Sequence, residues 1–175
     1  MVSLTMTTPR FPRVLDDVTV RLVAGEVLLI AVIAAVTRQP WIFALLAVDF
    51  VLRAGFGPKV SPLAQLASRL VRPRLSAAPR PTAGPPKRFA ATVGAVFSIA
   101  IPVTYYLGAQ TLAWVLIAIM LVFPFLESVL GICVGCIVFR GLMRVGVIPE
   151  EVCLECADIS LRRTAQAAGP TTRSR

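Results

Sequence analysis

The sequence predicts an all-α polytopic membrane protein: four transmembrane helices, an interfacial amphipathic helix and a short C-terminal cytoplasmic helix. Composition is the first reason. Of 175 residues 57% are hydrophobic and only 15% charged, with a mean hydropathy of +0.79, where a soluble domain carries about a quarter charged residues. The second reason is a series of apolar runs, and the third is a net charge of +9 gathered into a few stretches. Histidine is absent, which excludes Ser-His-Asp triads, Cys-His dyads and His-ligated metal or haem sites.

Residues Met1 to Val20 are polar and mixed and read as a cytoplasmic lead-in. The apolar run that follows predicts a first span over about 19–37, interrupted by Glu26 one turn past Arg21. A cleaved signal peptide is the competing reading, disfavoured by Glu26 and by the equally apolar segments downstream. Arg38-Gln-Pro40 makes a turn, and Trp41 opens a second span, 41–56, that contains Asp49 and Arg53. Their i,i+4 spacing puts both on one helix face as an ion pair, with a proton or ion path as the sharper alternative.

Between Gly55 and Arg88 there are seven basic residues, seven prolines and no acid. This basic loop, 57–88, contains an amphipathic stretch, Pro62 to Val71, suited to the membrane surface. The proline-rich segment Pro73 to Pro86 follows and reads as a loosely ordered linker. Anionic lipid headgroups are the expected partner for this charge. Nucleic acid is not, since no aromatics are interleaved for stacking.

A third span is expected over 89–107, with Pro102 as a kink, and a fourth over 111–139. The positive-inside rule places both termini and the basic loop in the cytoplasm, in the bacterial inner membrane. At 29 residues the fourth segment exceeds the ~20 needed to cross. Its last turns should emerge inside, with Cys133 and Cys136 near a helix C-terminus and Glu127 about two turns deeper. The spans and loop make one domain, 1–144. Beyond it a cytoplasmic helix, 145–163, carries Cys153 and Cys156, and 164–175 reads as a disordered tail.

These four cysteines are all the chain has. The C-x2-C-x16-C-x2-C spacing fits a four-thiolate zinc site, and an iron–sulfur cluster uses the same ligands. Thiol redox or sulfur transfer is the reading favoured over metal binding, and packing as small apolar residues the third. A C-terminal helix dipole disfavours a thiolate at Cys133 and Cys136, with Arg140 and Arg144 as partial compensation. Disulfide-forming four-helix membrane enzymes also carry Cys-x-x-Cys, but their thiols communicate with an oxidising compartment, and a permanent disulfide is not expected at a cytosolic face. Glu127 is expected to be neutral and hydrogen-bonded, or paired with Arg53 or Arg21, with proton relay the alternative. Gly131 and Gly135 would let a helix approach closely.

The motifs Asp49-Phe-Val-Leu-Arg53-Ala, Ser61-Pro-Leu, Pro86-Lys-Arg-Phe89, Phe125-Leu-Glu127, Gly131-Ile-Cys133-Val-Gly-Cys136 and Pro149-Glu-Glu-Val-Cys153-Leu-Glu-Cys156 occur in this order. Together they resemble the bacterial family called Domain of Unknown Function 4395, over roughly Val14 to Ile159. The resemblance implies an integral membrane protein without established activity. Through thioredoxin-like and rhodanese-like proteins encoded near relatives, it implies thiol or sulfur chemistry by association. The leading functional expectation is therefore a thiol redox or sulfur-handling partner of such a cytosolic protein. A non-catalytic module holding zinc on the four cysteines is the rival, and a small carrier using Glu26, Asp49 and Glu127 the weaker third.

Overall fold

A computed structural model describes residues 12, 14–76 and 78–148. The chain is mostly helical. Helix α1 runs Asp17–Val36, α2 Trp41–Phe56, and α3 Pro62–Leu66 continues as a π-helical turn, Ala67–Val71. Helix α4 runs Gly84–Tyr106, and α5, Gln110–Phe125, continues as a second π-helical turn, Leu126–Leu130. The last described helix, α6, is Val134–Arg144. Helix α4 is the hub, packing on α2, α5 and α6, while α1 leans on α5 and on the α3 segment.

Among the described residues, three helices are long and apolar enough to cross a membrane: Asp17–Val36, Gly84–Tyr106 and Gln110–Leu130. Only a minority of each is buried by the rest of the chain. Leu29, Val32, Ile33 and Val36 on α1 are exposed, as are Val96, Ile99 and Val103 on α4 and Val115 and Val122 on α5. Such a belt would be a large apolar patch in water and is ordinary in lipid. The opposite faces carry small residues, Ala31 and Ala34 on α1 and Ala91 and Ala95 on α4, which let the helices close on Phe43, Leu46 and Ile117.

Two expectations are corrected here. The first concerns the proline-rich linker, where residues Pro81–Ala83 form a strand, β2, paired antiparallel with β1, Val14–Asp16. The fold therefore carries a small sheet in addition to its helices, and α4 starts at Gly84, because Pro85 and Pro86 occupy first-turn positions where no amide donor is needed. Asp16 holds this corner together. Its carboxylate accepts from Arg72 Nε at 2.7 Å, the Arg80 amide at 3.0 Å and Thr19 Oγ1 at 2.9 Å, and it caps α1 through the Val18 amide.

The second correction concerns the fourth apolar segment, expected as one helix over 111–139. It breaks after Leu130. Gly131 takes φ +71, a left-handed backbone that glycine alone adopts without penalty, and a new helix starts at Val134. Arg21 stabilises the break by donating to the carbonyls of Ser128 at 3.3 Å and Val129 at 2.9 Å, groups that the helix end leaves without partners. Gly135 then brings α6 against α4, since a Cβ there would lie 2.6 Å from the Ala90 Cβ. The expected C-terminal helix and tail lie outside the described residues.

Asp49 is the other polar anchor. Buried on α2, it pairs with Arg53 and accepts from Ser61 Oγ at 2.7 Å and the Leu63 amide at 3.0 Å, so it fixes the start of α3. Asp49→Ala strands all three partners in a buried setting and is expected to cost about 3 kcal/mol. Thermal unfolding in detergent checks this, and an unchanged midpoint would count against the anchor.

Burial pushes the Asp16 carboxyl up, but the bonds from Arg72, Arg80 and Thr19 outweigh it and hold the group below its ordinary pKa. A depressed folded-state pKa stabilises at any pH above the unfolded value, and the contribution fades as pH falls through the folded one. Parent protein should therefore lose more stability than Asp16→Asn between pH 6 and pH 3. Parallel losses in denaturant titrations would refute that assignment.

Candidate functional site

The break at Gly131 decides the chemistry of the first cysteine pair. Cys133 is the N-cap residue of α6, its backbone extended at φ −88 and ψ 104, and its carbonyl accepts the Cys136 amide at 3.0 Å and the Ile137 amide at 3.1 Å. Cys136 sits in the first turn. The expectation that these thiols lie at a helix C-terminus is thus reversed, because the left-handed glycine and the Arg21 cap end one helix and let another begin. A helix N-terminus carries positive partial charge and favours a thiolate, as in reactive Cys-x-x-Cys pairs.

A buried lysine strengthens this. Lys87, in the first turn of α4, is 9% exposed and places Nζ 2.5 Å from Oε1 of Glu127 in the π-helical turn after α5. Glu127 thus pairs with Lys87, while Arg21 caps carbonyls and Arg53 pairs with Asp49. The ammonium also acts on both thiols. Cys133 and Cys136 share a hydrogen bond that raises the first and lowers the second. For Cys136 the gain exceeds the cost of burial, and Lys87 and Arg140 add to it. For Cys133, burial and Glu127 add to the rise. The pair is asymmetric, with Cys136, the more accessible, the more acidic thiol and Cys133, 8% exposed, the less acidic one.

A cavity of about 430 Å³ opens beside this pair. Lys87, Glu127 and Cys133 stand at its wall together with Arg53, and apolar side chains of α1, α4 and α5 supply most of the rest. Of the three carboxylates singled out from sequence, Glu26 lies within electrostatic reach of Asp49 and Arg53, and each carboxylate has its own setting. Asp49 is tied to α3 and Glu127 to Lys87, whereas both Glu26 carboxylate oxygens are buried without a hydrogen-bond partner among the described residues, as is Arg53 Nε. Cys153 and Cys156 lie outside the described residues, and among those described no three potential ligands cluster closely enough for a metal. Cys133 and Cys136 could supply two thiolates of such a site.

Lys87 was missed as a member of the site. Lys87 was grouped with the basic loop, although Pro85-Pro86 before it marks a helix start and a lysine one residue inside faces the bundle. Arg21, offered by the sequence as a partner for Glu127, instead caps backbone carbonyls more than a hundred residues away, a role that carries no sequence signal.

Membrane-length helices around a dithiol at a helix N-terminus thus define the class of this protein. The chain belongs to the family described as Domain of unknown function (DUF4395), which matches residues 15–144. No curated protein and no solved structure matches it.

The asymmetry has a direct readout. At pH 7, limiting iodoacetamide should alkylate Cys136 before Cys133. The double substitution Lys87→Met with Glu127→Gln, which avoids stranding either charge, should slow that reaction, because the lowering effect of Lys87 on Cys136 exceeds the raising effect of Glu127. Peptide mapping by mass spectrometry checks both, and equal labelling of the two cysteines would sink the assignment.

Proposed function

We propose that this is an integral protein of the bacterial inner membrane that carries out thiol–disulfide exchange, or sulfur handling on the same thiols, at Cys133 and Cys136. The observation that carries the reading is the start of α6. A Cys-x-x-Cys pair spans the N-cap and first turn of a helix, beside a buried ammonium, with one thiol more acidic than the other. Cys136 as thiolate attacks an incoming disulfide, one sulfur of the target leaves as a thiolate, and a mixed disulfide forms. Cys133 then attacks Cys136, closing the intramolecular disulfide and releasing the second target sulfur reduced. The ammonium of Lys87 and the dipole of α6 stabilise negative charge on sulfur at each stage.

Four crossings remain the reading of the topology, and the sheet supports it. Strand β1 precedes α1 and β2 precedes α4, and their pairing brings both helix starts together, which supports their lying on one side of the membrane. Once α1 has crossed, only α2 can return the chain. With 16 residues α2 is about 24 Å long, shorter than the hydrocarbon core, yet Leu45, Val48 and Val51 present an exposed apolar face. The basic residues cluster at the side where α1 and α4 begin, which supports cytoplasmic termini and contact with anionic headgroups. The partner class is a soluble thioredoxin-like or rhodanese-like protein. Cys153 and Cys156 would serve as a second pair.

The cysteine spacing favours a second reading, a four-thiolate zinc or other soft-metal site without catalysis. Metal content and free-thiol count on detergent-purified protein, compared with Cys133→Ser and Cys153→Ser, separate the two. Thiol exchange predicts no stoichiometric metal and thiols that oxidise and are re-reduced by thioredoxin. About one metal per chain, lost in both variants, would replace it with the metal module.

A further inference from the structure

We propose that the cavity beside Cys133 binds a membrane quinone, and that this quinone takes the electrons of the Cys133–Cys136 dithiol. The inference rests on the thiol reading and names its electron acceptor. At about 430 Å³ the cavity lies within the range of small-molecule sites, roughly 300–1,000 Å³. Its body is lined by Val23, Val27, Phe97, Met120 and Phe123, which suits an isoprenoid or alkyl chain. Its wall also holds Lys87, whose ammonium has three N–H donors and gives one to Glu127. A ligand there must be lipid-soluble and must offer an oxygen to a cation. A phospholipid meets both demands but cannot take electrons from a thiol. A quinone meets both, and it is the ligand class that can also accept two electrons from an adjoining thiol.

The two sulfurs are placed for opposite partners. Cys133 is buried and lines the cavity, whereas Cys136 is the more exposed and does not. In the net step the S–H bonds of both cysteines break and one S–S bond forms. The sulfurs lose two electrons and two protons, and the quinone gains both, forming two O–H bonds as quinol. In the reverse of the exchange proposed above, a dithiol from the aqueous side then attacks the disulfide at Cys136, releases both cysteines as thiols and is itself oxidised to a disulfide. Electrons therefore run from soluble dithiols into the membrane quinone pool.

The test uses the full chain, reduced and in lipid nanodiscs, with a decyl benzoquinone fully substituted on the ring so that thiols cannot add at an open position. Disulfide formation is followed by thiol alkylation and mass shift, and quinol by absorbance. A water-soluble disulfide serves as a parallel oxidant. The expected result is one quinol per Cys133–Cys136 disulfide. In Ala91→Leu and Ala24→Leu, which fill the cavity from α4 and α1, the ratio of quinone to soluble-disulfide rates should fall at least tenfold. If the parent reacts with the soluble disulfide but not with quinone, or if neither variant changes the ratio, the quinone site is wrong and thiol exchange stands. If the dithiol reacts with neither oxidant, both fall.

Discussion

The constraint on which the rest of this molecule depends is the pair of bonds from Arg21 to the carbonyls of Ser128 and Val129. They end a helix inside a stretch that apolarity alone would have made continuous. A guanidinium serves well because its planar fork of donors meets two carbonyls at once. With those carbonyls satisfied, Gly131 can turn left-handed and the chain can start again at Val134. The acidity of Cys136, the position of Cys133 at the cavity wall and the docking of Gly135 on Ala90 all follow from that restart.

Helix periodicity and hydropathy made the long helices legible, because lipid imposes one simple demand on every residue of a span. The break was not legible for the same reason. Glycine inside an apolar helix is common in membranes, and nothing in the sequence of 111–139 distinguishes a packing glycine from a terminating one. The information lies in Arg21, on another helix. The strand at Pro81–Ala83 was hidden differently, since proline signals the absence of a helix but not the presence of a two-stranded pairing with a segment near the N-terminus. The cysteine motif was visible at once, whereas its electrostatic sign required the break to be known.

Three acidic side chains in apolar surroundings have been given three different settings. Asp49 has an arginine, a hydroxyl and an amide. Glu127 has one lysine, and that lysine also acts on two sulfurs. Glu26 has no hydrogen-bond partner among the described residues. The first arrangement is closed and structural, and the second is open toward chemistry. Buried ion pairs contribute little net stability when well made, and the Lys87–Glu127 pair keeps a cation beside both sulfurs.

The pairing of Val14 with Ala83 joins residues about seventy positions apart. During synthesis the first strand must therefore wait while α1, α2 and the basic connection are made. Only when β2 arrives can the corner at Asp16 close, at the point where α4 begins. The little sheet thus acts as a seam that ties the start of α1 to the start of α4 across everything made between them. Its two halves exist before the segment that bears the thiols has been made.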